Sequence, residues 1–264
     1  GAAVVTIALN LIALWKQEVR NPSGTARSLP RPEFRATWQA FARQGRTLRF
    51  LVAVGLGTAA FSMQDIILEP YGGEILGLSV SATTLLTALL AGGALAAFGL
   101  AARWMSAGID AYRLAAFGAL TGVIAFSAVI FAAPLESAAL FRVGTTLIGF
   151  GGGLFAVSTL TAAMSLEAPG RAGLALGAWG AVQATAGGIA IVLGGALRDI
   201  VTSMASQGTL GAGLSDASVG YSVVYHIEIA LLFATLVAIG PLVRTSVAPR
   251  SQSVSKFGLA EFPG

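Results

Sequence analysis

Ile75–Ala102 reads ILGLSVSATTLLTALLAGGALAAFGLAA, 28 residues without one formal charge. An α-helix rises about 1.5 Å per residue, so about 20 apolar residues cross a hydrocarbon core about 30 Å thick. Leu114–Leu135 repeats the pattern over 22 residues, Val143–Leu166 over 24 and Ala172–Leu197 over 26. Two further spans carry charge inside them: about 48–69, which holds Asp65, and about 221–243, which holds His226 and Glu228. Backbone amides in hydrocarbon must be paired within their own segment, so each stretch is expected to be a helix. The alternating ten-residue pattern of a membrane barrel is missing. The expected fold class is all-α, a polytopic membrane protein with spans at about 48–69, 79–102, 114–135, 140–163, 172–197 and 221–243.

Composition agrees. The chain has 264 residues, of which 55% are hydrophobic and 11% charged, under half the roughly 25% charge of a soluble domain. Mean hydropathy is +0.79. Cysteine is absent, which excludes disulfide scaffolds, thiolate metal sites and cysteine nucleophiles. One histidine, no Ser/His/Asp arrangement on a recognisable scaffold and no nucleotide loop argue against an enzyme. Gly149–Gly153 (GFGGG) has no preceding strand and no following Lys, so it reads as helix packing and not as a phosphate loop.

The front and the charges set the organisation. Gly1–Leu14 reads as the C-terminal end of a transmembrane helix, and 15–47 as a basic linker punctuated by Pro22, Pro30 and Pro32. Threading six spans after that linker puts 14 of the 16 basic residues on one side, leaving Arg142 and Arg198 toward the other. By the positive-inside rule the linker and the tail, 244–264, are cytoplasmic, and this topogenic role explains the linker's charge without a nucleic-acid partner. Six short-looped spans after a long basic loop match the C-terminal half of a major-facilitator-type twelve-helix bundle. Gly118/Gly122, Gly149/Gly153 and Gly173/Gly177 are spaced to let such helices approach closely.

The most specific local sequence is Gln64–Gly77, QDIILEPYGGEILG. Asp65 and Glu69 are four apart and would share a helix face; Pro70 is expected to end that helix, with Tyr71-Gly72-Gly73 as an interfacial turn. A carboxylate inside a span costs about 2.5–3.5 kcal/mol on insertion scales. Asp65 is therefore expected to pair with Arg142 across helices, to serve in a proton relay, or to contact a bound head group. Glu69 reads as solvated.

Gln64-Asp65-(apolar)3-Glu69-Pro70-Tyr71-Gly72-Gly73, with the Gly-rich helices and Arg103–Gly108 (RWMSAG), resembles the PucC/LhaA family, the bacteriochlorophyll-delivery branch of the major facilitator superfamily in photosynthetic bacteria. The resemblance runs from the linker to about Arg244. Between Gly99 and Arg113 it departs from the superfamily's Gly-Asp-Arg-rich signature, keeping only Gly99, Arg103, Gly108, Asp110 and Arg113, which weighs against ordinary transport gating. The resemblance implies an assembly factor for light-harvesting complexes in the bacterial cytoplasmic or intracytoplasmic membrane. Its implied ligand is bacteriochlorophyll, transient or bound, and its implied partners are antenna polypeptides or a reaction-centre antenna complex within the lipid.

On that reading the candidate pigment-binding residues are Gln64, Asp65, Glu69, Tyr71, Gly72, Gly73, Gln183 and His226. Neutral His226 suits the magnesium of a chlorin as an axial ligand, or is a satisfied polar residue paired with Glu228. Gln183 would bond to a pigment carbonyl or to the next helix. Tyr71, Trp104, Trp179, Tyr221 and Tyr225 would stack on a macrocycle or anchor span ends. The alternative is a proton-coupled solute transporter built on Asp65, Glu69, Arg142 and Glu228. The topology has a direct check. Single cysteines at Ser28 and Gly208 should be labelled by an impermeant thiol reagent from opposite sides, and equal labelling in right-side-out vesicles would overturn the assignment.

Overall fold

The computed structural model describes residues 38–39, 45–166 and 172–245. The chain divides at Phe41 into two units, and all the helices named here lie in the second, from Ala42. The expected helix end at 1–14, most of the 15–47 linker and nearly all of the tail lie outside the described residues.

Seven helices follow in order: α1 (Gly45–Ser62), α2 (Leu68–Glu74), α3 (Val80–Ser106), α4 (Ala111–Ala132), α5 (Ala138–Ser165), α6 (Ala172–Ser206) and α7 (Ser218–Thr245). With α1 and α2 taken together, six stretches are long and apolar enough to cross a membrane. No strand occurs among the described residues, so the protein is an all-α polytopic membrane protein. Its exposed surface is strongly apolar. Leu95, Ile124, Val192 and Val237 are between 63% and 76% exposed, an arrangement a water-soluble helix bundle does not sustain.

Helix starts follow the side chains. Ser79 accepts from the Ala82 amide at the start of α3, and Ser137 from the Leu140 amide at the start of α5. The Asp110 carboxylate takes the amides of both Tyr112 and Arg113 at the start of α4. Each cap satisfies donors that a helix leaves unpaired in its first turn. Gly108, at φ +89°, makes the reversal between α3 and α4, a conformation that disfavours any residue with a Cβ.

The first span departs from expectation. Pro70 does not end a helix, and Tyr71-Gly72-Gly73 is not a turn; all four residues lie inside α2. The break falls earlier, in a 3-10 turn at Met63–Ile66. The proline explains the displacement. In a continuous helix its ring would collide with the carbonyl four residues back, that of Ile66. Restarting the helix at Leu68 puts Pro70 in a first turn, where its missing N–H costs nothing. The chain reverses only after Glu74. The fifth span also differs, since α6 runs on to Ser206 and carries Arg198 within the helix, not in a loop.

Packing is organised around two helices. α5 lies against α3 and α4, α1 lies against α6 and α7, and α4 against α7 joins the two groups. Glycines set the distances. A Cβ on Gly149 would fall on the Leu90 backbone, one on Gly153 on Ala94, and one on Gly93 on the Thr146 carbonyl, so α3 and α5 touch backbone to backbone. Gly118 and Gly122 meet Gly151 in the same way between α4 and α5. Gly194 on α6 is pressed against the Met63 carbonyl at the break in the first span. Gly173 and Gly177 are the exception: this pair was expected to pack, and among the described residues nothing lies within 4 Å of a Cβ added to either. Gly149→Ala should therefore destabilise the protein by about 1–3 kcal/mol, the usual scale of overpacking, whereas Gly177→Ala should be neutral or slightly stabilising. Thermal unfolding in detergent checks this, and equal shifts for the two would refute it.

Candidate functional site

One face of α6 carries four small residues, Gly180, Ala184, Gly187 and Gly188, with Gln183 and Ile191, at steps of three and one that keep a single helix face. Thr58, Phe61 and Ser62 of α1 and Gly152, Phe155 and Ala156 of α5 face it at the same helical steps. Because Gly and Ala leave room that larger side chains would fill, the three faces enclose an open cavity of about 540 Å³, within the roughly 300–1,000 Å³ of small-molecule sites. Its walls are flat and apolar, edged by the Phe61 and Phe155 rings, whose centroids are 6.0 Å apart. Few polar groups reach it. Thr58 Oγ1 is buried and has no hydrogen-bond partner, Ser62 adds a hydroxyl, and Gln183 contributes the one amide. Trp179 lies nearby, its Nε1 donating to Thr159 Oγ1 at 3.2 Å and so tying α6 to α5.

The Gln64–Gly73 segment occupies a different place. Gln64 is buried; its Nε2 donates to the Phe61 carbonyl at 3.3 Å and to Asp65 Oδ1 at 2.5 Å, while its Oε1 has no partner. Across from it on α7, Glu228 is fully buried and its carboxylate makes no ion pair among the described residues. Tyr225, one turn earlier on that helix, is fully buried with a free hydroxyl. Tyr71 is enclosed too. Its ring packs on Phe141, Tyr221 and Tyr225 at 5.2–5.6 Å between centroids, and its hydroxyl donates to the Val129 carbonyl at 3.2 Å. Gly72 is needed for that packing, since its Cβ position is 3.0 Å from the Phe141 ring; Gly73 is open.

Beyond this aromatic core sits a polar network that sequence reasoning missed. Arg198 of α6 pairs with Glu74 at the end of α2 and donates to the Tyr221 hydroxyl. Tyr221 in turn donates to Glu74 Oε2 at 2.6 Å, and the guanidinium lies over its ring, 4.5 Å from the centroid. Arg198 also reaches Asp199 at 2.8 Å. One cation within α6 thus joins the end of α2 to the first turn of α7.

Several expectations need correcting. Asp65 and Arg142 do not form an ion pair: Asp65 is exposed and bonded to Gln64, and Arg142 Nε is buried without a partner. The 3-10 turn also removes Asp65 and Glu69 from a common helix face; Glu69 instead accepts from Thr87 of α3 at 2.7 Å. Tyr71, Tyr221 and Tyr225 are core residues, closed to a stacked macrocycle. Of the candidate set, Gln183 lines the cavity, and His226 is exposed on α7 and makes no pair with the inward-facing Glu228. The Arg198 network predicts a coupled effect. Tyr221→Phe should cost about 1 kcal/mol, the net worth of one hydrogen bond. In a Glu74→Gln background the cost should shrink, as partners in one network are not additive. Full additivity in thermal unfolding would show the network to be energetically inert.

Comparison with known proteins places these features. The profile of the family described as PUCC protein matches residues 1–247. Over 267 aligned positions the chain is 50% identical to an uncharacterized protein in the puhA-bchM intergenic region of Rhodobacter capsulatus, covering 100% of this chain and 56% of that protein. It is 45% identical to Protein PucC of Cereibacter sphaeroides, covering 95% of this chain and 53% of that one. A more distant relative, at 30% identity over 75% of the chain and 48% of its own length, is the bacteriochlorophyll synthase 44.5 kDa chain of Rhodobacter capsulatus. The chain thus spans about half the length of the curated relatives it matches. With the family profile covering nearly all of it, the chain belongs to the PUCC protein family.

Proposed function

We propose that this chain is part of an assembly factor for bacterial light-harvesting complexes that handles bacteriochlorophyll inside the membrane and passes it to antenna polypeptides or a reaction-centre antenna complex. It is a non-enzymatic, chaperone-like role, in a multi-pass protein of the bacterial inner membrane with a cytoplasmic C-terminus and a major-facilitator-type bundle. Membership of the PUCC family carries the reading, and the name of one relative, a bacteriochlorophyll synthase chain, supports the choice of pigment.

The cavity between α1, α5 and α6 fits such a ligand. A chlorin is a flat, apolar ring with a few carbonyl acceptors at its edge. Glycine and alanine walls admit a flat body, Phe61 and Phe155 supply aromatic contact, and the Gln183 amide supplies one donor for a ring carbonyl. Bacteriochlorophyll itself brings the light-absorbing macrocycle and its magnesium; the residues here bind, orient and keep water away. Antenna polypeptides must meet pigment within the bilayer, and a weakly polar open cavity suits that exchange better than an aqueous pore lined with ionisable groups.

The test fills the cavity without touching the aromatic core. Gly188→Leu projects into space that holds nothing within 4 Å of an added Cβ, and Gln183→Leu removes the amide. Both variants should accumulate in the membrane at normal levels and lower the antenna absorbance bands several-fold, while total bacteriochlorophyll synthesis continues. Normal antenna bands in a strain lacking this protein and its close paralogues would sink the proposal and favour the solute-transporter alternative.

A further inference from the structure

His226 is the one histidine of the chain, and it stands where a polar ring is costly. It lies in α7, within a stretch apolar enough to cross a membrane. Its side chain is exposed, as are those of Ala230, Phe233 and Val237, at steps of four, three and four that define one helix face. Phe233 is 53% exposed and Val237 76%. The imidazole therefore projects from an apolar face of α7 that this chain leaves exposed.

One side of the ring is already committed. Nδ1 lies 2.7 Å from the Ser222 carbonyl oxygen, one turn back. A carbonyl can only accept, so Nδ1 donates to it, and in the tautomer that this bond selects the lone pair lies on Nε2. Among the described residues nothing bonds to Nε2. A second-nitrogen hydrogen bond of this kind is what orients a metal-ligating histidine.

The question is which electrophile such a nitrogen would take. One imidazole offers one bond, whereas a free zinc ion needs about four ligands and calcium or magnesium about six or more. No group of three or more His, Cys, Asp or Glu residues able to hold a metal occurs among the described residues, and Glu228 points into the core. A single nitrogen on an apolar face suits a metal that arrives with its other ligands: the centre of an apolar tetrapyrrole with an open axial position.

We infer that His226 Nε2 is the axial ligand of a metal-centred tetrapyrrole held on the outer face of α7, a site distinct from the cavity between α1, α5 and α6. That the tetrapyrrole is bacteriochlorophyll rests on the function proposed above. Haem offers the same axial chemistry, and the experiment separates the two. Full-length protein in detergent, with and without His226→Leu, is titrated with bacteriochlorophyll a, its metal-free analogue bacteriopheophytin a and haem b, with binding read from the ring absorption bands. Leucine suits an apolar face, so thermal unfolding of the variant should match that of the parent.

The expected result is that His226→Leu weakens bacteriochlorophyll binding roughly tenfold or more, the scale seen when groups that support a bound metal are lost, and removes the band shift of axial ligation. Metal-free pigment should bind both proteins alike, and added imidazole should restore the shift in His226→Gly. A His226-dependent shift with haem b alone would keep the ligand site and overturn its assignment to bacteriochlorophyll. Equal bacteriochlorophyll binding with identical spectra in both proteins would overturn the His226 site but leave the pigment-handling function standing. Absence of any pigment binding to either protein would overturn both.

Discussion

Close backbone contact across α5 is the constraint on which this structure depends. In lipid, apolar helices gain nothing by leaving hydrocarbon, so association rests on van der Waals packing and a few hydrogen bonds. α5 meets α3 and α4 at glycine, where even one extra Cβ would strike main chain at Leu90, Ala94 or the Gly118 carbonyl. The two glycine faces of α5 leave it no freedom to slide past either neighbour without collision. Phe155 and Gly152 are thereby held toward α1 and α6, and the depth of the cavity follows. The same residue type does opposite work on α6. Gly194 closes against Met63, while Gly188 stays open and leaves space that a ligand can fill.

The broken first span follows from a different constraint. Pro70 forbids a helix through Ile66, so a 3-10 turn is inserted, and Gly194 lets α6 press directly on the carbonyl of Met63. At this level the bundle carries buried polar atoms that lack a partner among the described residues, Gln64 Oε1 and the Tyr225 hydroxyl, beside the buried Glu228. Buried groups without hydrogen bonds give up part of the stability that packing supplies. Just beyond them, the Arg198–Glu74–Tyr221 network and the Tyr71 aromatic cluster hold α6 to the end of α2 and the start of α7. A weakly satisfied layer thus lies beneath a well-tied one.

The spans were legible because charge-free runs of 22 to 28 residues have no other stable home. Their ends were less so. Pro70 marked a disruption correctly, but the disruption falls four residues before the proline, where the clash lies, and sequence alone does not say whether the helix restarts. Glycine spacing identified Gly118/Gly122 and Gly149/Gly153 as contacts and failed at Gly173/Gly177, because spacing records that a face is small and not whether a neighbour comes to it. Pairing was the least legible feature. Asp65 and Arg142 looked like partners as isolated intramembrane charges, yet the cation that pairs is Arg198, whose partner Glu74 lies 124 residues away and whose position inside α6 was hidden by the length of that helix.

The candidate ligand residues sort by the direction in which their helices present them. Tyr71, Tyr221 and Tyr225 have the shape for stacking on a macrocycle, but they face inward and spend their rings on one another. Gln183 and His226 are polar residues on otherwise apolar stretches that do not point into the core, one toward the cavity between α1, α5 and α6, the other from the outer face of α7. A solute pump needs its ionisable groups lining a water-accessible path. Here the fully buried carboxylate, Glu228, is sealed in the core, and Asp65 and Glu69 are bonded to Gln64 and Thr87. The Gln183 amide and the His226 imidazole, with the Thr58 and Ser62 hydroxyls, are polar groups left clear of the sealed core.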